Sequence, residues 1–363
     1  MPKVLIVIAR LNVGGTAQYI SELSKGLQSK GYEVLVATGF VQGAEVEDKV
    51  AESLPLHRIA SLGRKISPSR DWQARKELAE VIELFKPDVI YSHTFKAGLI
   101  ARTIATDIPR IHAFHGHLLD EPELRGWKVA LVKAFEARLA KRSDLLVTVG
   151  KRVSKELLAV GVGNPDKYRS IAPGVRALNL LERDQVLREL GLQNEWRTIA
   201  VWLARVTAVK APLRVIELAK HFPDTLFLMA GGGDLLEEVK RKAPENLKVL
   251  GWQSAEKMWS IADIAISTSE NEGMPVALIE AQLAGIPVVA MGVGSVEEVI
   301  EDGHTGFVVA KWGDEFFAKL SQLLLEESLR REMSKAAKGL ASTKFAPERL
   351  IADHIKLFDE VLK

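Results

Sequence analysis

The chain contains no cysteine. Disulfides, thiolate nucleophiles and zinc–sulfur sites are therefore excluded, which fits a reducing compartment. No apolar run approaches the roughly 20 residues that a membrane-spanning helix needs. The apolar opening Val4–Ala9 is too short for a secretory signal and leads into a Gly-containing turn instead of a small-residue cleavage site, so it reads as a first buried strand. Low-complexity tracts and internal repeats are also missing. A cytoplasmic location is expected, with contact at the inner face of a membrane left open and no nucleic-acid partner. The 363 residues exceed one ordinary core and suit two domains. The net charge of +2 conceals an asymmetry: Met1–Pro173 carries 26 Lys+Arg against 19 Asp+Glu, and the remainder carries 23 against 28. A basic first half either faces an anionic partner such as a lipid headgroup or reflects ordinary surface variation.

Short β-branched runs alternate with helical patterns along the whole chain. Val4–Ala9, Glu33–Thr38, Val89–Ser92, Arg110–Phe114 and Leu145–Val149 read as strands, with helices such as Gln18–Lys30 and Arg75–Phe85 between them. A second series follows: Thr198–Leu203, Leu226–Ala230, Leu247–Leu250, Ile264–Ser267 and Pro287–Ala290. Strands buried on both faces and joined by helices predict parallel sheets, and right-handed crossovers make them doubly wound. The predicted fold class is α/β, with two Rossmann-like domains at 1–173 and 174–346. The segment Pro173–Trp196 is the join, and the last helix, about 347–363, packs back on the first domain. Ligands in such sheets bind at the carboxyl ends of the strands, and two facing sheets would place the site in the cleft between them.

The segment Ser267–Ala290 carries the most chemistry. A strand ends at Ser267, a polar loop holds Glu272, and Pro275 suits the first turn of a helix that contains Glu280 and ends near Gly285. Gly273 allows close backbone approach, and the amide of Met274 is free to donate at a helix N-terminus, a ready site for an anion or hydroxyl. Carboxylates accept well from sugar and ribose hydroxyls. Taken alone, Glu272 and Glu280 read more readily as a helix cap and a solvated helix residue.

Their context decides. Ser-x-x-Glu-Gly-x-Pro-x-x-x-x-Glu-Ala, then Ala-Gly-x-Pro-Val-Val-Ala, Gly294, Glu297-Glu298-Val299-Ile300 and Asp302-Gly303-x-Thr305-Gly306, resembles the C-terminal domain of the retaining glycosyltransferases called family four, which have the GT-B fold. The resemblance implies that Glu272 contacts the donor hexose and Glu280 the ribose of a nucleotide sugar. It carries Arg205 and Lys210 over as the pair that clamps the leaving diphosphate, as two cations in one short loop can. Ala204 stands where the family usually has Gly before the Arg, and Ala211-Pro212 where Gly follows the Lys; both changes stiffen the loop. Gly231 and Gly232 form a Gly-rich strand–helix turn that could admit the nucleotide. Gly251-Trp252 falls where the family holds the base, although Trp252 reads equally as packing.

In the first half, Gly14-Gly15 follows the first strand and resembles the family's Gly-Gly loop near phosphate and acceptor, a plain strand–helix turn being the alternative. Its spacing is not Gly-x-Gly-x-x-Gly and no acidic residue ends the second strand, which speaks against dinucleotide binding. His93 and Lys96 follow one strand and His115 and His117 another. His115 matches the family's His-Gly position near the transferred sugar. Lys96 is expected either to meet an anionic acceptor or to cap its turn. The segment Glu123–Arg142 is a basic amphipathic helix, readable as membrane-lying or as core-facing. No Asp-x-Asp occurs, so the metal-chelating route of the other main glycosyltransferase fold is absent. Neither metal nor other cofactor is expected, and Arg205, Lys210 and helix dipoles would replace the cation. The resemblance implies retention, with the leaving phosphate taking the acceptor's proton. The acceptor, whether glycan, lipid or small molecule, is unidentified. A sugar-nucleotide epimerase or hydrolase on the same fold and a non-catalytic nucleotide-sugar-binding subunit are the alternatives.

Overall fold

A computed structural model describes residues 1–43, 45–63, 66–116, 127–192 and 196–362. It divides into two compact units, Met1–Gly174 with Pro347–Lys363, and Val175–Ala346.

The first unit holds strands β1 (Lys3–Ile8), β2 (Glu33–Thr38), β3 (Leu56–Arg58), β4 (Val89–His93), β5 (Arg110–Phe114), β6 (Leu145–Thr148) and β7 (Tyr168–Ser170). All are parallel, in the order β3-β2-β1-β4-β5-β6-β7. Between them run helices α1 (Gly15–Ser29), α2 (Pro68–Phe85), α3 (Phe95–Ala101), α4 (Trp127–Ala140) and α5 (Lys151–Ala159). The side chains of β1 alternate between two cores. Val4, Ile6 and Ile8 join Ile20 and Leu23 of α1 on one face, whereas Leu5 and Val7 join Leu78, Val81 and Ile100 of α2 and α3 on the other. That is why β1 reads as an unbroken apolar run instead of an alternating one.

The second unit repeats the plan. Its strands are β8 (Ile199–Leu203), β9 (Leu226–Ala230), β10 (Leu247–Gly251), β11 (Ile264–Ser267), β12 (Val288–Met291) and β13 (Gly306–Val309), parallel in the order β10-β9-β8-β11-β12-β13. Its helices are α6 (Arg183–Glu189), α7 (Leu213–His221), α8 (Leu236–Lys242), α9 (Ala255–Ile261), α10 (Val276–Leu283), α11 (Val296–Val299), α12 (Asp314–Leu325) and α13 (Glu327–Lys344). Trp202 and Trp259 are buried within it.

The final helix, α14 (Pro347–Val361), belongs to the first unit. Its buried positions Leu350, Ile351, His354, Leu357 and Phe358 recur at three- and four-residue spacing and face α1. Gly26 makes the approach possible, since a Cβ there would lie 2.1 Å from Cδ1 of Ile351. Arg349 ties the helix down through the carbonyls of Ala172 and Pro173, at 2.7 and 2.8 Å.

The doubly wound α/β class matches the expectation, and three strands add to it. β3, β7 and β13 are short, and β3 and β7 are half exposed at sheet edges, so their runs lack an apolar pattern. α2 starts seven residues before the expected Arg75, because its first turns bury nothing before Ala74. In each sheet the strand order reverses once, between β1 and β4 and between β8 and β11. Such reversals open a crevice at the carboxyl edge, where ligands bind.

Candidate functional site

The crevice of the second unit is built from the loops that follow β8 and β11. After β8 the chain turns through Arg205 and a short 3-10 turn, Ala208–Lys210, and reaches Ala211 in left-handed conformation at φ 45°. Ala211 stands where the resembled family has glycine, and it adopts the backbone that glycine takes freely. This costs about 1 kcal/mol, because Cβ crowds the following carbonyl. The stiffer sequence has therefore kept the turn at the expense of strain.

The loop after β11 is laced to that turn. The amide of Glu270 donates to the Val209 carbonyl at 2.8 Å. The Thr268 hydroxyl accepts from the buried Trp202 indole at 3.0 Å and faces the carbonyls of Lys210 and Ala211, each at 3.0 Å. Arg214 donates to the Thr268 carbonyl at 2.9 Å and pairs with Glu270 at 3.0 Å. This frame brings together two residues that stand 62 positions apart. Nζ of Lys210 lies 2.6 Å from Oε1 of Glu272, and the Ser269 hydroxyl donates to the same oxygen at 2.7 Å. Glu272 does not cap α10: Pro275 occupies the cap, with no side-chain hydrogen bond. The Glu272-Gly273 backbone is pinned from behind. The Ser295 amide donates to the Gly273 carbonyl, and a Cβ at Gly294, whose φ is 53°, would sit 1.5 Å from the Glu272 carbonyl oxygen. No described residue accepts from the Met274 amide.

Arg205 is exposed and makes no ion pair among the described residues. The two cations thus differ, one neutralised by Glu272 and one free. Glu280 lies on α10, and burial raises its pKa to about 7. The neighbouring Trp259 indole N–H, which meets no acceptor at hydrogen-bond geometry, offsets part of the rise, and the charge of Glu256 adds to it. Gly231 and Gly232 serve the chain's own packing. A Cβ would lie 1.8 Å from the Ala204 carbonyl oxygen at the first and 2.3 Å from the Trp252 indole nitrogen at the second. Trp252 touches Gly232 along that edge, follows Gly251 at φ 68°, and is 53% exposed, so it is not a core residue.

The crevice of the first unit is of another kind. Gly14, at φ 147°, opens α1 with free space around it, and Gly15 is the first helical residue. His93 ends β4, and its Nδ1 lies 2.9 Å from Nε2 of His115, just past β5. Burial holds His93 well below the usual imidazole range and brings His115 to about 4, so both rings are neutral. Lys96 is buried and ion-paired with Asp71 of α2, a contact that neither sequence reading foresaw. Its ammonium is committed there and does not cap the turn. His117 lies outside the described residues, as does the start of the segment Glu123–Arg142. The described part of that segment, α4, is neither simply core-facing nor simply amphipathic. Its acidic Glu136 is buried and paired with buried Arg102 at 2.9 Å, while Leu131 and Phe135 are exposed.

The sequence reading missed Ser269, Asp71, Trp259, Tyr19, Tyr91 and His354. The phenol oxygens of Tyr19 and Tyr91 lie 3.1 and 3.2 Å from Nε2 of His354, behind the His93–His115 pair. One feature of the sequence pointed to His354: it falls on the apolar stripe of α14, in register with Leu350, Leu357 and Phe358.

Two family models match consecutive stretches of the chain: the glycosyl transferase 4-like domain over residues 14–174 and glycosyl transferases group 1 over residues 185–340. The chain belongs to the group 1 glycosyltransferases and has their GT-B fold. The UDP-Gal:alpha-D-GlcNAc-diphosphoundecaprenol alpha-1,3-galactosyltransferase of Escherichia coli is 24% identical over 292 residues, 74% of each chain. The N-acetyl-alpha-D-glucosaminyl L-malate synthase of Bacillus anthracis is 23% identical over 374 residues, covering 97% of this chain and 95% of that one. Among solved structures, Anabaena HepE in complex with UDP and glucose matches with a TM-score of 0.82 at 18% identity, over 99% of this chain and 100% of the other.

Proposed function

We propose that this glycosyltransferase takes its sugar from a uridine diphosphate donor, retains the anomeric configuration and needs no metal ion. The observation that carries the reading is the cation–carboxylate arrangement at the β8–β11 crevice, where Arg205 is free and Lys210 is held 2.6 Å from Glu272. Departure of a sugar leaves negative charge on a diphosphate, and two fixed cations stabilise that charge as it develops. Arg205 binds the diphosphate first, and Lys210 turns toward it from Glu272. Glu272 is then free to accept from a hexose hydroxyl, with the Met274 amide beside it. Glu280 takes the ribose hydroxyls, and Trp252 offers its exposed face to the base. The uridine assignment draws on the UDP-Gal and UDP in the names of the Escherichia coli and Anabaena proteins. Retention draws on the resemblance of Ser267–Gly306 to retaining enzymes; in that account the leaving phosphate takes the acceptor's proton.

The acceptor side belongs to the first unit, with His115 at the sugar. No helix among the described residues is long and apolar enough to cross a membrane. The exposed Leu131 and Phe135, with Arg138, Lys141 and Arg142 nearby, instead suit α4 for peripheral contact with an anionic bilayer. That contact would bring a lipid-linked acceptor, of the sort named for the Escherichia coli relative, to the enzyme.

The test is transfer from a panel of UDP-hexoses to polyprenyl diphosphate-sugar and small-molecule acceptors, with the product's anomeric configuration read by NMR. An inverted product overturns retention, and loss of activity in EDTA overturns metal independence. Free sugar or an epimer formed at the full rate without acceptor points to a hydrolase or epimerase. Turnover untouched in Arg205→Ala and Glu280→Ala removes the proposed site.

A further inference from the structure

The first unit buries an unusual amount of neutral imidazole around one point, and hydrogen-bond logic fixes where its protons sit. His354 is the clearest case. Its Nδ1 lies 2.8 Å from the Leu350 carbonyl, which can only accept, so Nδ1 carries the proton and Nε2 is bare. The bare nitrogen has one lone pair and accepts from one phenol hydroxyl, and Tyr19 and Tyr91, which both lie against it, hydrogen-bond to each other. Both phenol rings then wall the pair in front of them. The Tyr91 ring lies 4.2 Å from the His93 ring, and the Tyr19 ring stands edge-on to His115 at 4.9 Å.

Between His93 Nδ1 and His115 Nε2 lies one proton. Two arrangements are open. If His115 donates, His93 must carry its own proton on Nε2, which is buried and has no partner among the described residues. If His93 donates, that nitrogen is bare. Buried N–H groups without an acceptor are the rarer defect, so the second arrangement is favoured. It leaves His115 with its proton on Nδ1, the nitrogen not turned toward His93. The backbone supports the same point. Thr94, directly after His93, sits at φ 67°, a left-handed conformation rare for a β-branched residue. It is held there by its amide to the Ala113 carbonyl and by the Gly98 amide to its own carbonyl. Strain of this kind gathers where a side chain must be aimed.

We propose that His93 is a positioning residue, which donates Nδ1–H to Nε2 of His115 and so presents His115 as a neutral Nδ1–H donor to a hydroxyl oxygen of the transferred sugar. His354, through Tyr19 and Tyr91, holds the pair in place. The role rests on the reading of His115 as a sugar contact, whereas the proton's location does not. His115 thereby orients sugar without acting as a base.

The experiment is nitrogen-15 histidine NMR on the full chain, with the His115 resonances assigned from His115→Gln, alongside steady-state kinetics of His93→Asn and His93→Leu. A directly bonded proton on Nδ1 of His115 and none on Nε2 is expected in the wild type. Asn places an amide near the position of Nδ1, so His93→Asn keeps that tautomer and most of kcat. His93→Leu loses the tautomer and lowers kcat on the order of tenfold, as loss of an orienting partner does at histidine ligands of metals. A proton on Nε2 of wild-type His115 overturns the assignment. So does a His93→Asn enzyme as slow as His93→Leu. An Nδ1 proton in the wild type with transfer unchanged in His93→Leu overturns the sugar contact and the positioning role, while leaving the tautomer standing. The two failures are thus distinguishable even if His93→Leu folds poorly, since the wild-type spectrum decides the first.

Discussion

The two units share one strand plan and treat charge in opposite ways at the same topological place. At the β8–β11 reversal Arg205 is exposed and free of ion pairs among the described residues, beside a half-buried Lys210–Glu272 pair and a half-buried Glu280. At the β1–β4 reversal the ammonium of Lys96 is buried against Asp71, and the neighbouring rings of His93 and His115 are neutral. Sheet edges at equivalent reversals of strand order thus carry a free cation in one unit and neutral rings in the other. Side-chain charge and burial make the difference, and the fold does not.

If this contrast is right, the largest effect comes from removing the free cation. Arg205→Ala should lower kcat by on the order of 10²- to 10³-fold, the usual result of deleting one stabiliser of developing charge, with the melting temperature unchanged. Acid should come next and should strike the first unit. The folded-state pKa of His354 lies near 4, below its unfolded value of about 6.5, so the unfolded chain binds more protons in that window. Stability is therefore complete above pH 6.5 and is lost as the pH falls toward 4, by about 3 kcal/mol for this residue. His93 and His112, both held well below their ordinary range by burial, act in the same direction. Calorimetry across pH should show the first unit melting ahead of the second. Equal acid sensitivity of both units would break the comparison.

A smaller effect concerns the donor. If Glu280 takes the ribose hydroxyls as proposed, its ionised form accepts them best, and its pKa in the free protein is about 7. Donor affinity should be flat above pH 7 and weaken by up to about tenfold per unit below it. Glu280→Gln should bind weakly with no such slope, as titration calorimetry with UDP would read. The smallest change is Ala211→Gly, which relieves the left-handed Cβ and should raise stability by roughly 0.5–1 kcal/mol. A loss of stability there would mean that the stiffer loop is favourable as it stands.

The candidate site of the second unit was the more legible from sequence because its residues lie close together along the chain. Glu272, Gly273 and Glu280 lie within nine residues, Arg205 and Lys210 within six, and each group directly follows an apolar strand. What those loops do to each other was not legible. The Lys210–Glu272 pair depends on Thr268 and Glu270 tying two distant segments together, and the Gly-rich turn is packed closely against Ala204 and Trp252. In the first unit the informative contacts come from α1, β4, the end of β5 and α14, spread from Tyr19 to His354, and no local motif marks a cluster of that span. Lys96 illustrates the limit: a cation after a strand looks available until Asp71, 25 residues upstream, is folded against it.

The return of α14 has a consequence for how the molecule can be taken apart. The second unit is an insertion in the first, entered after Gly174 and left before Pro347. The two edges of the interruption adjoin: a Cβ at Gly174 would lie 2.8 Å from the Pro347 Cα. On the other side of the seam, the Val175 amide donates to the Phe345 carbonyl at 2.8 Å. The gene for such a chain could lose or exchange everything between those points by two cuts, the ends meeting without a linker. Donor preference would then be a cassette, replaceable while the histidine cluster, including its most distant member, stays with the surrounding frame.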